Sequence, residues 1–257
     1  MHAPCTLSST WRQAADTLQQ QFPLRGPLLL LVAVTLVMCC SSLDLWISGW
    51  FYRPESGQWP QLGQHPWKMI DRFFVYPGVV LGVAAIVVAS HSLVWRIRGA
   101  WSNAALILAG VFLLGPGLLV NGSMKPYFSR PRPKDVVELG GTKAYQPPLG
   151  FGDQLHFNSS FPSGHASIGF FLITPAFVFR QQPAWRRCWL LGGLCYGALM
   201  SYSRIVQGAH FTSDVLWSLA ILYFTSWGVT ALVAARELRA TAASPGNAES
   251  RKIRSAA

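Results

Sequence analysis

His210 and Asp214 form the residue pair whose types and spacing speak most directly of chemistry. Four residues apart, they share one face at the start of a helix. A carboxylate that accepts from one imidazole nitrogen fixes the tautomer and leaves the other nitrogen free to attack. A carboxylate at a span mouth is costly without a partner, and His210 and Arg204 are the partners within reach of Asp214. Lys125, Arg132 and Arg204 are three further cations of interest. Gathered around one point they would neutralise a doubly charged phosphate, and the arginine fork suits phosphate oxygens. For Lys125 and Arg132 taken alone a second reading is equally open, because Lys and Arg near span ends snorkel toward headgroups. Snorkelling is the expectation for Arg130, Lys134 and Lys143. Ser163 and Gly164 follow Pro162 where a helix begins, and a helix start offers unpaired N–H groups and positive dipole to an anion. Gly164 would let a phosphate approach the backbone closely, while Ser163 is equally an ordinary N-cap.

The elements that must position these residues follow from composition. Of 257 residues, 51% are hydrophobic and 12% charged, against about 25% charged in soluble domains. Leu28 to Leu43, Phe73 to Ser90, Cys188 to Ser203 and Val215 to Ala235 carry no charge at all. A helical span takes about 20 mainly apolar residues. Composition therefore excludes a soluble enzyme, a disordered chain and a disulfide scaffold. The expectation is an all-α, polytopic membrane protein, a bundle of six transmembrane helices over residues 27–48, 71–94, 101–121, 163–180, 188–206 and 214–235.

Basic residues set the orientation. Arg12, Arg25, Arg96, Arg98, Arg180, Arg186, Arg187, Arg236 and Arg239 all fall in segments that six spans place on one face, which the positive-inside rule makes cytoplasmic. Both termini are then inside, and the connections 49–70, 122–162 and 207–213 lie on the outer, periplasmic face with the active site. Residues 1–26 form a cytoplasmic segment expected to hold a helix at the membrane surface, 27–235 the six-span domain, and 236–257 a basic tail expected to be disordered. The outer loop 122–162 is long enough to expect function from it.

The net charge of +11 forms no run or stripe, so nucleic acid is not an expected partner. The five cysteines show no metal-type spacing. Of the carboxylates Asp44, Glu55, Asp71, Asp135, Glu138, Asp153 and Asp214, no two are spaced as a dedicated metal cluster, which phosphate chemistry on a divalent ion would need. The expectation is histidine catalysis with no metal and no cofactor.

Three segments carry a resemblance. Lys125 through Arg132-Pro133, then Pro162-Ser163-Gly164-His165, then Ser203-Arg204 through His210 to Asp214 together resemble the signature of the type 2 phosphatidic acid phosphatase family, integral-membrane relatives of vanadium haloperoxidases. Its pattern is K-x6-RP, PSGH and SR-x5-H-x3-D, and every position is present. Arg130-Pro131 gives the same dipeptide early, but only Arg132 has the family spacing.

The resemblance implies that Lys125, Arg132 and Arg204 bind phosphoryl oxygens with help from Ser163 and the Gly164 N–H. It implies that His210 attacks phosphorus to form a phosphohistidine, that Asp214 orients its ring, and that His165 protonates the leaving group. The implied substrate is a lipid phosphate or diphosphate in the membrane: undecaprenyl diphosphate, phosphatidic acid, phosphatidylglycerol phosphate or a lipid A-type phosphate. The 134–161 loop, as a lid or headgroup pocket, favours a bulky substrate of the lipid A type. A lipid phosphotransferase using the same phosphohistidine, and a non-catalytic lipid-phosphate binding or transport protein, are the alternatives.

Overall fold

The structure, a computed structural model, describes residues 7–150 and 159–242. It is helical: α1 Leu7–Gln21, α2 Arg25–Cys40, α3 Leu43–Gly49, α4 Trp67–Phe73, α5 Tyr76–Val94 and α6 Ala100–Phe112 make the first half. Helix α6 runs on as a π-helix, Leu113–Met124, into α7, Lys125–Phe128. After two 3-10 turns come α8 Gly164–Phe170, α9 Thr174–Val178, α10 Pro183–Val206 and α11 Thr212–Ala242. Among the described residues no strand forms, only two isolated bridges.

The helices are built inside out relative to a soluble bundle. Along α5 the small residues Gly78, Gly82, Ala85 and Ala89 face inward, while Val80, Val83 and Val87 are 64%, 49% and 62% exposed. Lipid is as apolar as valine, so burying large side chains gains little there, whereas small ones let helices approach closely. Ala85 and Ala89 accordingly meet Ala105 and Ala109 of α6 in one cluster. The central core, with Ile107, Val111, Val120, Phe171, Val215 and Leu222, joins α6, the π-helix, the α8–α9 segment and α11.

The six stretches expected to span are largely helical, but fewer of them qualify as spans by length and apolarity. Three runs, Trp67–Val94, Ala100–Asp135 and Thr212–Ala242, are long and apolar enough to cross a membrane, and α1 with α2 makes a fourth if that pair, bent by 68°, is one span. Gly164–Val178 is apolar but shorter. The stretch expected as the first span, residues 27–48, is broken at residues 41–42 between α2 and α3. The π-helix has a plain cause: Pro116 lies inside it, lacks an N–H and clashes with the carbonyl four residues back, so the ladder slips by one.

Helix α1 occurs where a surface helix was expected, and it is tied to the bundle: Leu18 and Phe22 pack against Phe177 and Ala231. Helix α11 continues to Ala242, into the expected tail; the rest of that tail, and residues 151–158 of the outer loop, lie outside the described residues. The preceding part of that loop is anchored, with Val136 and Leu139 buried against Trp59 and Phe211.

Candidate active site

Backbone hydrogen bonds stitch the three segments together at one end of the bundle. Ser160 N–H donates to the Arg130 carbonyl at 2.8 Å, Lys134 N–H to the Gly208 carbonyl at 3.0 Å and Ser163 N–H to the Asp214 carbonyl at 3.3 Å. The turn between α10 and α11 depends on Gly208, at φ +63, where a Cβ would also meet the Trp59 ring at 2.6 Å. That turn delivers Arg204 from the end of α10, His210 from the connection and Asp214 from the first turn of α11. Helix α8 starts with Ser163 as its cap, the hydroxyl accepting from Ala166 N–H at 3.3 Å.

His210 is 1% exposed. Its Nδ1–H donates to the Ser160 carbonyl at 2.7 Å; a carbonyl only accepts, so Nδ1 carries the proton and Nε2 keeps its lone pair. Burial pushes the imidazole down to about 4, with the Arg204 charge acting the same way against the pull of Asp214. The ring is therefore neutral rather than cationic at neutral pH, with a lone pair on Nε2.

Asp214 departs from the expected arrangement. Its Oδ2 is 3.6 Å from His210 Nδ1, too far for a hydrogen bond, so it acts on the ring as a charge. The direct orienting group is the Ser160 carbonyl. Asp214 in turn holds Ser160, whose hydroxyl donates to Oδ2, and accepts Phe211 N–H at 2.8 Å. The reason is valence: Asp214 also takes the Arg130 guanidinium at 2.6 Å, and its oxygens are turned to these donors.

Arg130 is the clearest correction. Expected to snorkel, it is 1% exposed, with Asp44 at 2.9 Å and Asp214 at 2.6 Å. It donates Nε–H to the Gln146 carbonyl at 2.8 Å and Nη1–H to Ser213 Oγ at 2.8 Å. Its Cζ stands 4.2 Å over the Phe211 ring. Asp44, from α3, also accepts Ser213 N–H at 3.0 Å. The first turn of α11 is thus clamped by a buried two-carboxylate, one-guanidinium network.

Lys125, Arg132 and Arg204 lie close enough for each charge to act on the others and for all three to act on His165. Arg204 is 8% exposed, and its Nε makes no hydrogen bond among the described residues, leaving a donor for an anion. Asp71, on α4, is ion-paired with Arg204 and lies 3.6 Å from Nε2 of the half-buried His165. Gly164 serves packing first: a Cβ there would meet Asn121 Oδ1 of the π-helix at 2.8 Å.

Sequence reasoning passed over Arg130, Asp44, Asp71 and Ser160. A signal existed for the carboxylates, since Asp44 and Asp71 sit at span mouths as Asp214 does and need partners on the same grounds. Nothing marks Ser160, which acts through its carbonyl.

Residues 100–238 match the PAP2 superfamily. Over 201 residues, 75% of this chain and 86% of the other, the sequence is 31% identical to a protein of Francisella tularensis subsp. novicida (strain U112) named lipid A 4'-phosphatase. No solved structure matches. The family match spans more than half of the chain and runs through all three converging segments, and the chain accordingly belongs to the PAP2 superfamily, as a membrane-embedded phosphatase.

Proposed function

We propose that the protein hydrolyses a phosphate monoester on a bulky membrane lipid of the lipid A type through a phosphohistidine. The observation that carries this reading is the neutral, buried His210, with Nδ1–H committed to the Ser160 carbonyl at 2.7 Å and Nε2 left to attack beside three cations. Lys125, Arg132 and Arg204 hold the phosphoryl oxygens, assisted by Ser163 and the Gly164 N–H. Nε2 of His210 bonds to phosphorus as the P–O bond to the lipid breaks, and His165, which takes up a proton as the phosphate dianion enters, gives it to the leaving oxygen. Water then attacks phosphorus, the P–N bond breaks, inorganic phosphate leaves and the proton returns to His165. Side-chain cations meet the charge throughout, so the mechanism calls for no divalent metal.

The substrate class rests on the named relative, whose matched region covers most of both chains, and on the anchored segment around Val136 and Leu139, which packs against Phe211, next to His210. A six-span arrangement with both termini cytoplasmic and the site periplasmic is part of the same proposal. It is supported by six helical segments in the expected places and by arginines gathered at the end opposite His210.

The test uses full-length protein in detergent with lipid A bisphosphate, phosphatidic acid and undecaprenyl diphosphate, with and without EDTA. Phosphate release from lipid A, untouched by EDTA and lost in His210→Ala, is expected. Full activity in His210→Ala would sink the mechanism. Phosphate appearing on a second lipid instead of in solution would establish a phosphotransferase. A reporter fused after Ala257 should be active in the cytoplasm; a periplasmic signal would overturn the topology.

A further inference from the structure

At the end of the bundle opposite His210, a cavity of about 690 Å³ opens where α5 ends and α6 begins, beside the last turns of α11; Arg96, Arg98 and Arg236 line it. Helix α11 rises about 1.5 Å per residue, which puts Arg236 about 33 Å from Asp214, far beyond the reach of the phosphatase site. Glu237 also lines the cavity, but its carboxylate is engaged by Arg180 at 3.2 Å and by the Asn103 amide. Arg239 donates to Thr10 at 3.0 Å. Among the described residues, the charges of Arg96, Arg98 and Arg236 are therefore answered by no carboxylate of the lining. Ser92 and Ser102, 7% and 6% exposed, add hydroxyls to the same walls. Helix α6 begins there without a side-chain cap, so its first-turn N–H groups add to the positive potential.

The neighbours of the cavity say what kind of anion it meets. Trp95 and Trp101 flank it in sequence and are 70% and 87% exposed. Exposed tryptophans settle at headgroup level, so the cavity opens where lipid phosphates lie. Basic pockets between helix ends are suited to acidic lipid headgroups. We propose that this cavity binds the phosphodiester headgroup of an anionic phospholipid, with Arg96, Arg98 and Arg236 on the phosphate oxygens and the serine hydroxyls on the glycerol. It is a second phosphate-recognising site, separate from the catalytic one and independent of which lipid is hydrolysed.

Native mass spectrometry of the full-length protein in detergent tests this, titrated in turn with dioleoyl phosphatidylglycerol, dioleoyl phosphatidylcholine and inorganic phosphate. A Lys125→Ser/Arg132→Ser/Arg204→Ser variant removes binding at the catalytic site. Both proteins should retain one phosphatidylglycerol in preference to phosphatidylcholine. Arg96→Ser/Arg98→Ser/Arg236→Ser should weaken that binding by about tenfold or more, the loss of at least one charge-assisted hydrogen bond. Because removing three arginines can also disturb membrane insertion, Ser102→Leu, which keeps every charge and fills the cavity, should weaken it too. Equal retention of the two phospholipids, or unchanged binding in both cavity variants, would overturn the proposal. So would inorganic phosphate binding as tightly as phosphatidylglycerol, which would make this a free-anion site.

Discussion

Arg130 Nη1 lies 2.6 Å from Asp214 Oδ1, and neither side chain reaches solvent. This pair, extended to Asp44, fixes the start of α11 and through Ser160 the ring of His210. Breaking a buried ion pair by removing one partner leaves an uncompensated charge and costs about 3–5 kcal/mol. Arg130→Met should therefore lower the unfolding temperature in detergent sharply, whereas Lys134→Met, on a half-buried side chain, should change it little. A purely lipid-facing Arg130 would give two equal, small effects.

Ser160 and Asp214 separate two ways of orienting the nucleophile. Ser160→Ala keeps the carbonyl that accepts from His210 and deletes only the hydroxyl on Asp214. A lost hydrogen bond of about 1 kcal/mol predicts a fall in kcat of about fivefold. Asp214→Asn removes the partner of Arg130 as well and should cost both kcat and thermal stability. Equal kcat losses with unchanged stability in both variants would return the direct orienting role to Asp214.

The low basicity of His210 sets a pH window. Its folded value, about 4, lies below the usual histidine value of about 6.5. Between those limits the unfolded chain carries a proton that the folded one refuses, so this group's contribution to stability is full above about pH 6.5 and is lost as the pH falls toward 4. The ring signals of His210 in histidine-labelled protein, assigned with His210→Ala, should likewise stay neutral down to about pH 5. Titration near 6.5 would contradict the burial argument.

Asp71 is ion-paired with Arg204 and stands beside His165. An incoming phosphate must displace this carboxylate. Asp71→Asn should therefore tighten vanadate inhibition by about tenfold, the scale of one charge-assisted hydrogen bond. Weaker vanadate binding would mean that Asp71 orders Arg204 rather than competing for it.

The amino-acid sequence by itself determined the helical, membrane-embedded character, because charge-free runs such as Val215 to Ala235 have no stable place in water. It also singled out Lys125, Arg132, Ser163, Arg204, His210 and Asp214 as candidates for phosphate handling by residue type and spacing, with His165 added by the family resemblance. Spacing set Arg132 apart from Arg130, yet it gave Arg130 no partner. Only packing decides that Arg130 meets Asp44, 86 residues away. Nor was Ser160 visible, because a backbone carbonyl belongs to every residue and gains a role only when a fold aims it. Tertiary structure decided these partnerships for one physical reason. A buried charge must find its counter-charge in space, and neighbours in space are set by how the helices close, not by their order in the chain.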